Sequence, residues 1–326
     1  MKEQRAESRG QRTDARPLLK WAGGKRQLLP ALRRFYPTTF NRYWEPFLGS
    51  GAVFFDLHAR GLLAGHDATL SDNNPDLIAC YRAVRDCPEQ VLGELSRLAA
   101  GHEREGASHY YEVRNRRFNP QRAALAAASN HERCCNPALA AMFIYLNRTG
   151  YNGLFRLNSD GQFNVPAGRY TNPRICDETT VRRVATALAR SGVTLDRASF
   201  DRTLDSAGAG DFLYFDPPYA PLSKTARFTN YTTEGFDAVD QERLRDLVIA
   251  LAKRGCHVLL SNSTAPEIVE LYERSDDVSA AGLRCFRIPA RRAINSNAAR
   301  RGAIEEYVIT NRERLQASAS PAARVR

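Results

Sequence analysis

Asp216-Pro217-Pro218-Tyr219 is the stretch whose side chains could do chemistry most directly. It closes an apolar run, Phe212-Leu213-Tyr214-Phe215, that reads as a buried parallel strand. Asp216 can accept a hydrogen bond from an amine. The prolines stiffen the loop, and the carbonyl of Pro217 still accepts although proline cannot donate. Tyr219 offers a ring face on which an extruded base can stack. Methyl transfer to the exocyclic amine of a nucleobase uses all three. The alternative is a polar turn after a core strand.

A second constellation lies upstream. Glu45-Pro46-Phe47-Leu48-Gly49-Ser50-Gly51 follows one candidate strand and precedes a helical pattern at 52–60. Glycines there let backbone approach a ligand at the carboxyl end of a strand, where open α/β sheets bind ligands. Asp72 stands 21 residues past Gly51, at the end of the next candidate strand, where an acid accepts from ribose hydroxyls. The third residue after Gly51 is Phe54, so G-x-G-x-x-G is not met and a nucleoside cofactor without pyrophosphate is favoured over a nicotinamide dinucleotide. Lys20-Trp21-Ala22-Gly23-Gly24-Lys25 lacks phosphate-loop spacing, and Arg26 stands where Ser or Thr would. It reads as a glycine turn starting a helix, or as a lid with Trp21 packing on a cofactor and Lys25 supplying charge.

Strands and helices must position these groups. Short apolar runs ended by Gly, Asp or Pro occur at 43–46, 69–71, 193–196, 212–215, 257–261, 284–288 and 304–310, several separated by helical patterns such as 241–253. The alternation predicts an α/β fold with a largely parallel sheet. Apolar spacing at Leu28, Leu29, Leu32 and Phe35 predicts a short helix over 25–35. Between about Pro75 and Arg190 helical segments dominate, including 138–146. A basic, turn-rich piece follows, with Asp160-Gly161 as a hairpin signal.

Composition narrows the partner. The chain has 326 residues, 43% of them hydrophobic, enough for one large or two unequal domains. Lys+Arg 47 against Asp+Glu 36 gives a net charge of +11, which favours polyanions. Residues 281–301 hold Arg284, Arg287, Arg291, Arg292, Arg300 and Arg301 and no acid; residues 143–174 hold Arg148, Arg156, Arg169 and Arg174 against Asp160 alone. Seven cysteines without a C-x-x-C pair suggest reduced thiols in a cytoplasmic protein. The six histidines show no metal-binding spacing, so no metal is expected. No apolar run approaches membrane-spanning length and residues 1–16 carry no apolar signal core, so neither a membrane nor secretion is expected.

Taken together, KWAGGK at 20–25, EPFLGSG at 45–51, LSDNN at 70–74, FIYLNRTGYNGLFRLNSDGQFNVPAGRY at 143–170, DPPYAPLS at 216–223, FTNYTTEGF at 228–236 and LSNS at 260–263 resemble the Dam-type DNA adenine-N6 methyltransferases, the D12 class. The blocks run in order from Pro17 to about Asn311. The resemblance implies S-adenosyl-L-methionine as methyl donor, adenine N6 in double-stranded DNA as acceptor and GATC as the site, with the base flipped out. It implies a Rossmann-like methyltransferase sheet of about seven strands with one antiparallel edge, and an inserted, mainly helical recognition domain carrying a β-hairpin. The expected division is a disordered basic extension at 1–16, a catalytic domain at 17–75 and 191–311, a recognition domain at 76–190 and a disordered tail at 312–326.

Carried over by position, the resemblance makes Asp216, Pro217 and Tyr219 catalytic. Trp21, Lys25, Glu45, Phe47, Gly49, Gly51, Asp72 and Asp216 would bind the cofactor. Lys20 and Arg156 would donate to guanines, and Leu154 and Pro166 would touch thymine methyls, pairings that groove chemistry prefers. Arg116, Tyr151, Asn152, Asn158, Asn164, Arg169 and Tyr170 would contact DNA by holding phosphates or orienting the hairpin. A cytoplasmic monomer, on a bacterial nucleoid or encoded by a phage, is expected.

Three rivals remain. Cytosine-N4 enzymes more often carry Ser before PPY, and glutamine- and RNA-directed enzymes Asn, so Asp216 favours adenine. A dehydrogenase is disfavoured by the glycine spacing. A silent DNA-binding module on a methylase fold would lack motif residues, and none is missing.

Overall fold

A computed structural model describes residues 17–21, 23–127, 135–220, 236–291 and 303–312. The expected extension at 1–16 and the tail beyond Arg312 lie outside them, as do Ala22, residues 221–235, Arg292, Arg300 and Arg301.

All seven apolar runs form strands. They are β1 (Tyr43–Glu45), β2 (Ala68–Asp72), β3 (Val193–Arg197), β4 (Phe212–Phe215), β5 (His257–Ser263), β6 (Arg284–Arg291) and β7 (Ala303–Thr310). They make one sheet in the order β3-β2-β1-β4-β5-β7-β6. Pairings from β3 through β5 are parallel, and β7 runs antiparallel to both β5 and β6. The antiparallel strand is therefore not the edge, as expected, but the second from it. β6 arrives first and takes the outer place, and β7 returns by direct antiparallel pairing into the gap.

Position in the sheet explains each strand's composition. β1 and β4 are central and every residue in them is buried. At the edge, β3 buries only Leu195. The strand period of two then sorts the core into two faces. Phe212, Tyr214, Leu259 and Val308 face one cluster, and Leu213, Phe215, Val258, Leu260, Tyr307 and Ile309 face the other.

Among the described residues twelve α-helices surround the sheet: α1 (Leu29–Leu32), α2 (Ala52–Ala59), α3 (Pro75–Asp86), α4 (Pro88–Glu105), α5 (Ala107–Glu112), α6 (Asn119–Ala127), α7 (Pro137–Thr149), α8 (Glu178–Leu188), α9 (Arg202–Ser206), α10 (Ala238–Lys253), α11 (Pro266–Ile268) and α12 (Asp276–Ala280). Among the described residues none is long and apolar enough to cross a membrane. α10 covers the second face with Leu244, Leu247, Val248 and Leu251, and a capping box between Asp237 and Asp240 starts it. The expected helix over 25–35 is instead α1 between two 3-10 turns, Lys25–Gln27 and Arg33–Phe35. Pro30 sits in its first turn, where the missing N–H costs least, so a regular helix cannot extend back through Lys25.

The helical segment between β2 and β3 does not stand apart. α7 is apolar on all sides, with Leu139 to Asn147 buried, and it packs on α3 and α4. Its residues share one continuous cluster with the first face of the sheet. A π-helical turn, Val113–Phe118, joins α5 to α6. The hairpin beyond α7 is reduced to two antiparallel bridges, Gly150 with Ala167 and Leu157 with Phe163. Its tip closes at Asn158, whose Oδ1 accepts from the backbone N–H groups of Asp160 (3.2 Å) and Gln162 (2.8 Å).

Candidate active site and nucleic-acid interface

The parallel strands end at one edge of the sheet, and chemistry gathers there. Asp216 follows β4. Its Oδ1 accepts from Lys25 Nζ at 2.7 Å and from Ser261 Oγ of β5 at 3.0 Å. The Lys25 side chain is 3% exposed and that of Asp216 21%. Burial pushes the Asp216 carboxyl up, and the Lys25 charge and hydrogen bond oppose it. The same ammonium lies 4.4 Å from the Tyr219 ring centroid and donates to the Gly23 carbonyl at 2.6 Å.

The loop from Asp216 to Ala220 is held from below. Gln241 Nε2 of α10 donates to the Pro218 carbonyl at 3.0 Å, and Asn262 Nδ2 donates to Gln241 Oε1 at 3.0 Å. Ser263 Oγ donates to the Ala220 carbonyl at 2.9 Å. Three consecutive residues of β5 thus brace the loop. Tyr219 OH donates to Glu306 Oε2 of β7 at 2.6 Å.

The glycine loop between β1 and α2 forms the second wall. Gly51 has φ 65°, and a Cβ there would lie 2.7 Å from Phe55 Cε2, so only glycine fits. Gly49, at φ 47°, brings its backbone against Trp21. The loop's amides bond inward. Gly49 N–H donates to Asp72 Oδ2 at 3.0 Å, Gly51 N–H to the Leu48 carbonyl at 2.6 Å, and Leu48 N–H to the Ser71 carbonyl at 2.9 Å. A phosphate cradle needs such amides free, so this loop suits a cofactor without pyrophosphate.

Two acids flank the loop. Asp72 Oδ1 also accepts from Asn74 N–H at 3.0 Å, and Asn73 N–H is a third backbone donor to the carboxylate. Burial pushes Asp72 up to about 6, against those backbone donors. Glu45 lies deeper. Its Oε2 accepts from Tyr43 OH (2.7 Å) and Phe54 N–H (2.9 Å), yet burial pushes it up to about 8.

The segment before α1 is tied to the end of α7. Lys20 N–H donates to Asn147 Oδ1 at 2.8 Å, and Asn147 Nδ2 donates to the carbonyls of Lys20 (2.6 Å) and Gly153 (2.9 Å). A Cβ at Gly153 would lie 2.4 Å from Lys20 Cβ. Trp21 stacks on Phe143 and Phe155, with centroids 6.3 and 6.1 Å away. Lys20 Nζ lies 3.9 Å from the Tyr170 centroid and donates to the Arg148 carbonyl at 3.3 Å. Burial, then the Arg148 charge, lowers the Lys20 ammonium.

The hairpin hangs from the π-helical turn and its neighbours. Tyr110 OH and Arg114 Nη1 both donate to the Val165 carbonyl, at 2.9 and 2.8 Å. Asn119 pairs with the backbone of Phe163 through both its amide groups, and Arg122 donates to the Gly161 carbonyl. Arg156 Nε donates to Asn164 Oδ1 at 2.8 Å.

The structure brings Asp216, Pro217, Tyr219 and Lys25 to one place, and Glu45, Gly49, Gly51 and Asp72 to the adjoining loop. Lys20, Leu154 and Tyr170 lie where the segment before α1 meets the hairpin, and Arg156, Asn158 and Asn164 lie along it. Tyr151, Arg156, Pro166, Arg169 and Tyr170 are exposed, as is Arg116 on the π-helical turn. Asn152 takes a left-handed φ of 55° beside Tyr151. Phe47 stands apart, stacked on Phe200 at 5.4 Å and edge-on to Phe236. Sequence reasoning passed over Ser261, Asn262, Gln241, Glu306 and Asn147. LSNS was visible as a block without a role, and Asn147 lay inside the longer match; Gln241 and Glu306 had no local signal.

Known proteins match this chain along most of its length. The family described as D12 class N6 adenine-specific DNA methyltransferase matches residues 21–288. The type II methyltransferase M1.LlaDCHI of Lactococcus lactis subsp. cremoris is 40% identical over 296 residues, 91% of this chain and 95% of its own. The type II methyltransferase M.MjaIII of Methanocaldococcus jannaschii is 37% identical, covering 91% and 99%. The DNA adenine methylase of Escherichia coli K12 is 33% identical, covering 90% and 94%.

Proposed function

Because the chain belongs to the D12 class N6 adenine-specific DNA methyltransferases, we propose that it methylates adenine within GATC in duplex DNA, flipping the base to the mouth formed by Asp216, Lys25 and Tyr219. The convergence of those three side chains beyond β4 carries the reading. S-adenosyl-L-methionine is the donor that suits the adjoining loop, and it supplies an electrophilic methyl group on a sulfonium centre. Trp21, Lys25, Glu45, Gly49, Gly51 and Asp72 would hold it, with Asp72 accepting from its hydroxyls. Phe47 would contribute through the shape of the Phe200–Phe236 cluster rather than by direct charge or hydrogen bonding.

The chain's own residues do the rest. Extruding adenine costs a few kcal/mol, and Tyr219 returns part of that by stacking. Asp216 and the Pro217 carbonyl accept the two amine hydrogens, which draws the nitrogen lone pair out of conjugation and aims it. Lys25 must then yield both contacts it makes with Asp216 and Tyr219. Positioning supplies most of the acceleration.

Residues 76–190 would read the sequence and residues 17–75 and 191–311 would perform the transfer. Lys20 and Arg156 would donate to guanines, and Leu154 and Pro166 would meet thymine methyls. Arg116, Tyr151, Asn152, Asn158, Asn164, Arg169 and Tyr170 would contact DNA around them. Expression in cells without adenine methylation, followed by long-read mapping of modified bases, tests the whole. N6-methyladenine confined to GATC is expected. Methyladenine at another motif would reject the specificity, and none at all would reject the activity.

A further inference from the structure

Glu306 stands on β7, paired in register with Ser263 of β5, and reaches under the Asp216–Ala220 loop to the Tyr219 hydroxyl at 2.6 Å. It is half-buried, and its charge lies close enough to Asp216 to push that carboxyl up. The Tyr219 ring thus has two holds: Lys25 on its face and Glu306 at its hydroxyl. A base can stack on that face only when the ammonium has left it. The hydroxyl hold remains then, because it lies at the ring's edge.

We propose that Glu306 is a positioning residue for methyl transfer, fixing the tilt of the Tyr219 ring through its hydroxyl so that the stacked adenine presents its amine to Asp216. The inference rests on the reading of Tyr219 as the stacking surface. A hydrogen bond from a neutral phenol to a carboxylate is among the stronger kinds, and its loss frees the ring to rotate about its side-chain torsions. Ring stacking itself does not need the hydroxyl, so the phenylalanine variant isolates the tether from the surface.

The test is a double-mutant cycle on the full-length protein, with single-turnover methylation of a GATC duplex as readout and melting temperature alongside. Glu306→Ala should lower the transfer rate about tenfold, the scale of one charge-assisted hydrogen bond, with the KM for cofactor unchanged. Tyr219→Phe should lose as much, and the double variant no more. Glu306→Gln, which keeps a neutral acceptor, should lower the rate less than Glu306→Ala in the Tyr219 background and change nothing beside Tyr219→Phe; if the alanine variant does not fold, Tyr219→Phe carries the test, and a wild-type rate in it would overturn the proposal. Additive losses, or a wild-type rate in Glu306→Ala, would overturn the proposal. Full activity in Tyr219→Ala would instead remove the stacking reading beneath it.

Discussion

Lys25 Nζ lies 2.7 Å from Asp216 Oδ1 while resting 4.4 Å from the centroid of Tyr219. One ammonium therefore meets both the acid and the ring that would receive the target adenine. A charged nitrogen over an aromatic face with a carboxylate beside it imitates an amine-bearing base, and it keeps Asp216 paired in a half-buried place.

That relationship predicts how an Asp216→Ala variant should fail. On the proposed reading the hairpin and the basic surface would hold the DNA, so affinity in a filter-binding assay should persist. Methyl incorporation should be lost because the amine has no acid to accept its hydrogen. Substantial turnover by the variant would refute the role of Asp216.

Arg156 should read one base pair. It is exposed, and its Nε bond to Asn164 orients the guanidinium while leaving the Nη groups for a base edge. Arg156→Ala should relax discrimination at a single position of the site by about 1–3 kcal/mol. Methylation rates on the set of single-substituted duplexes measure this, and unchanged discrimination would reject direct readout.

Cofactor affinity should depend on pH through Asp72. Its carboxyl titrates at about 6 because burial outweighs its backbone donors. The ionised form is the better acceptor for hydroxyls, so affinity should rise as pH climbs through 6 and level off above it. Titration calorimetry across that range should show the rise in the wild type and a flat, weaker profile in Asp72→Asn.

Glu45 should shape stability in the opposite sense to a salt-bridged acid. Its folded pKa is raised from the ordinary 4.5 to about 8. Between those values the unfolded chain is ionised and the folded one is protonated, so folding takes up a proton. The stabilising contribution is full below 4.5 and is lost as pH rises through 8. Glu45→Gln keeps the shape without the charge, and denaturant unfolding should show that component of the pH slope gone. A slope identical to wild type would place the Glu45 proton elsewhere.

Much of this was legible without coordinates because it is local. The run Phe212–Phe215 is wholly apolar because β4 is covered on both faces, and its acid follows where the strand leaves the sheet. Glycines at 49 and 51, and Asp72 at the end of β2, follow from the same rule for parallel strands. The helix expected over 25–35 failed for an equally local reason, Pro30. The antiparallel strand lay one place inward of the expected edge because strand order depends on pairing between distant segments.

By itself the sequence determined the chemistry on offer: an acid after a buried strand, a glycine loop too short of glycines for pyrophosphate, a basic turn-rich hairpin, and the family these blocks belong to. Tertiary structure alone decided which groups meet. Lys25 reaches Asp216 only because the segment before α1 folds over the ends of β1 and β4. Glu306 reaches Tyr219 only because β7 inserts beside β5. Asn147 can clamp Lys20 and Gly153 together only because α7 ends against that segment. Side-chain spacing along a chain encodes which face a residue takes within its own element. Contacts between elements depend on how the sheet and helices are packed together, and that is set by the whole core at once.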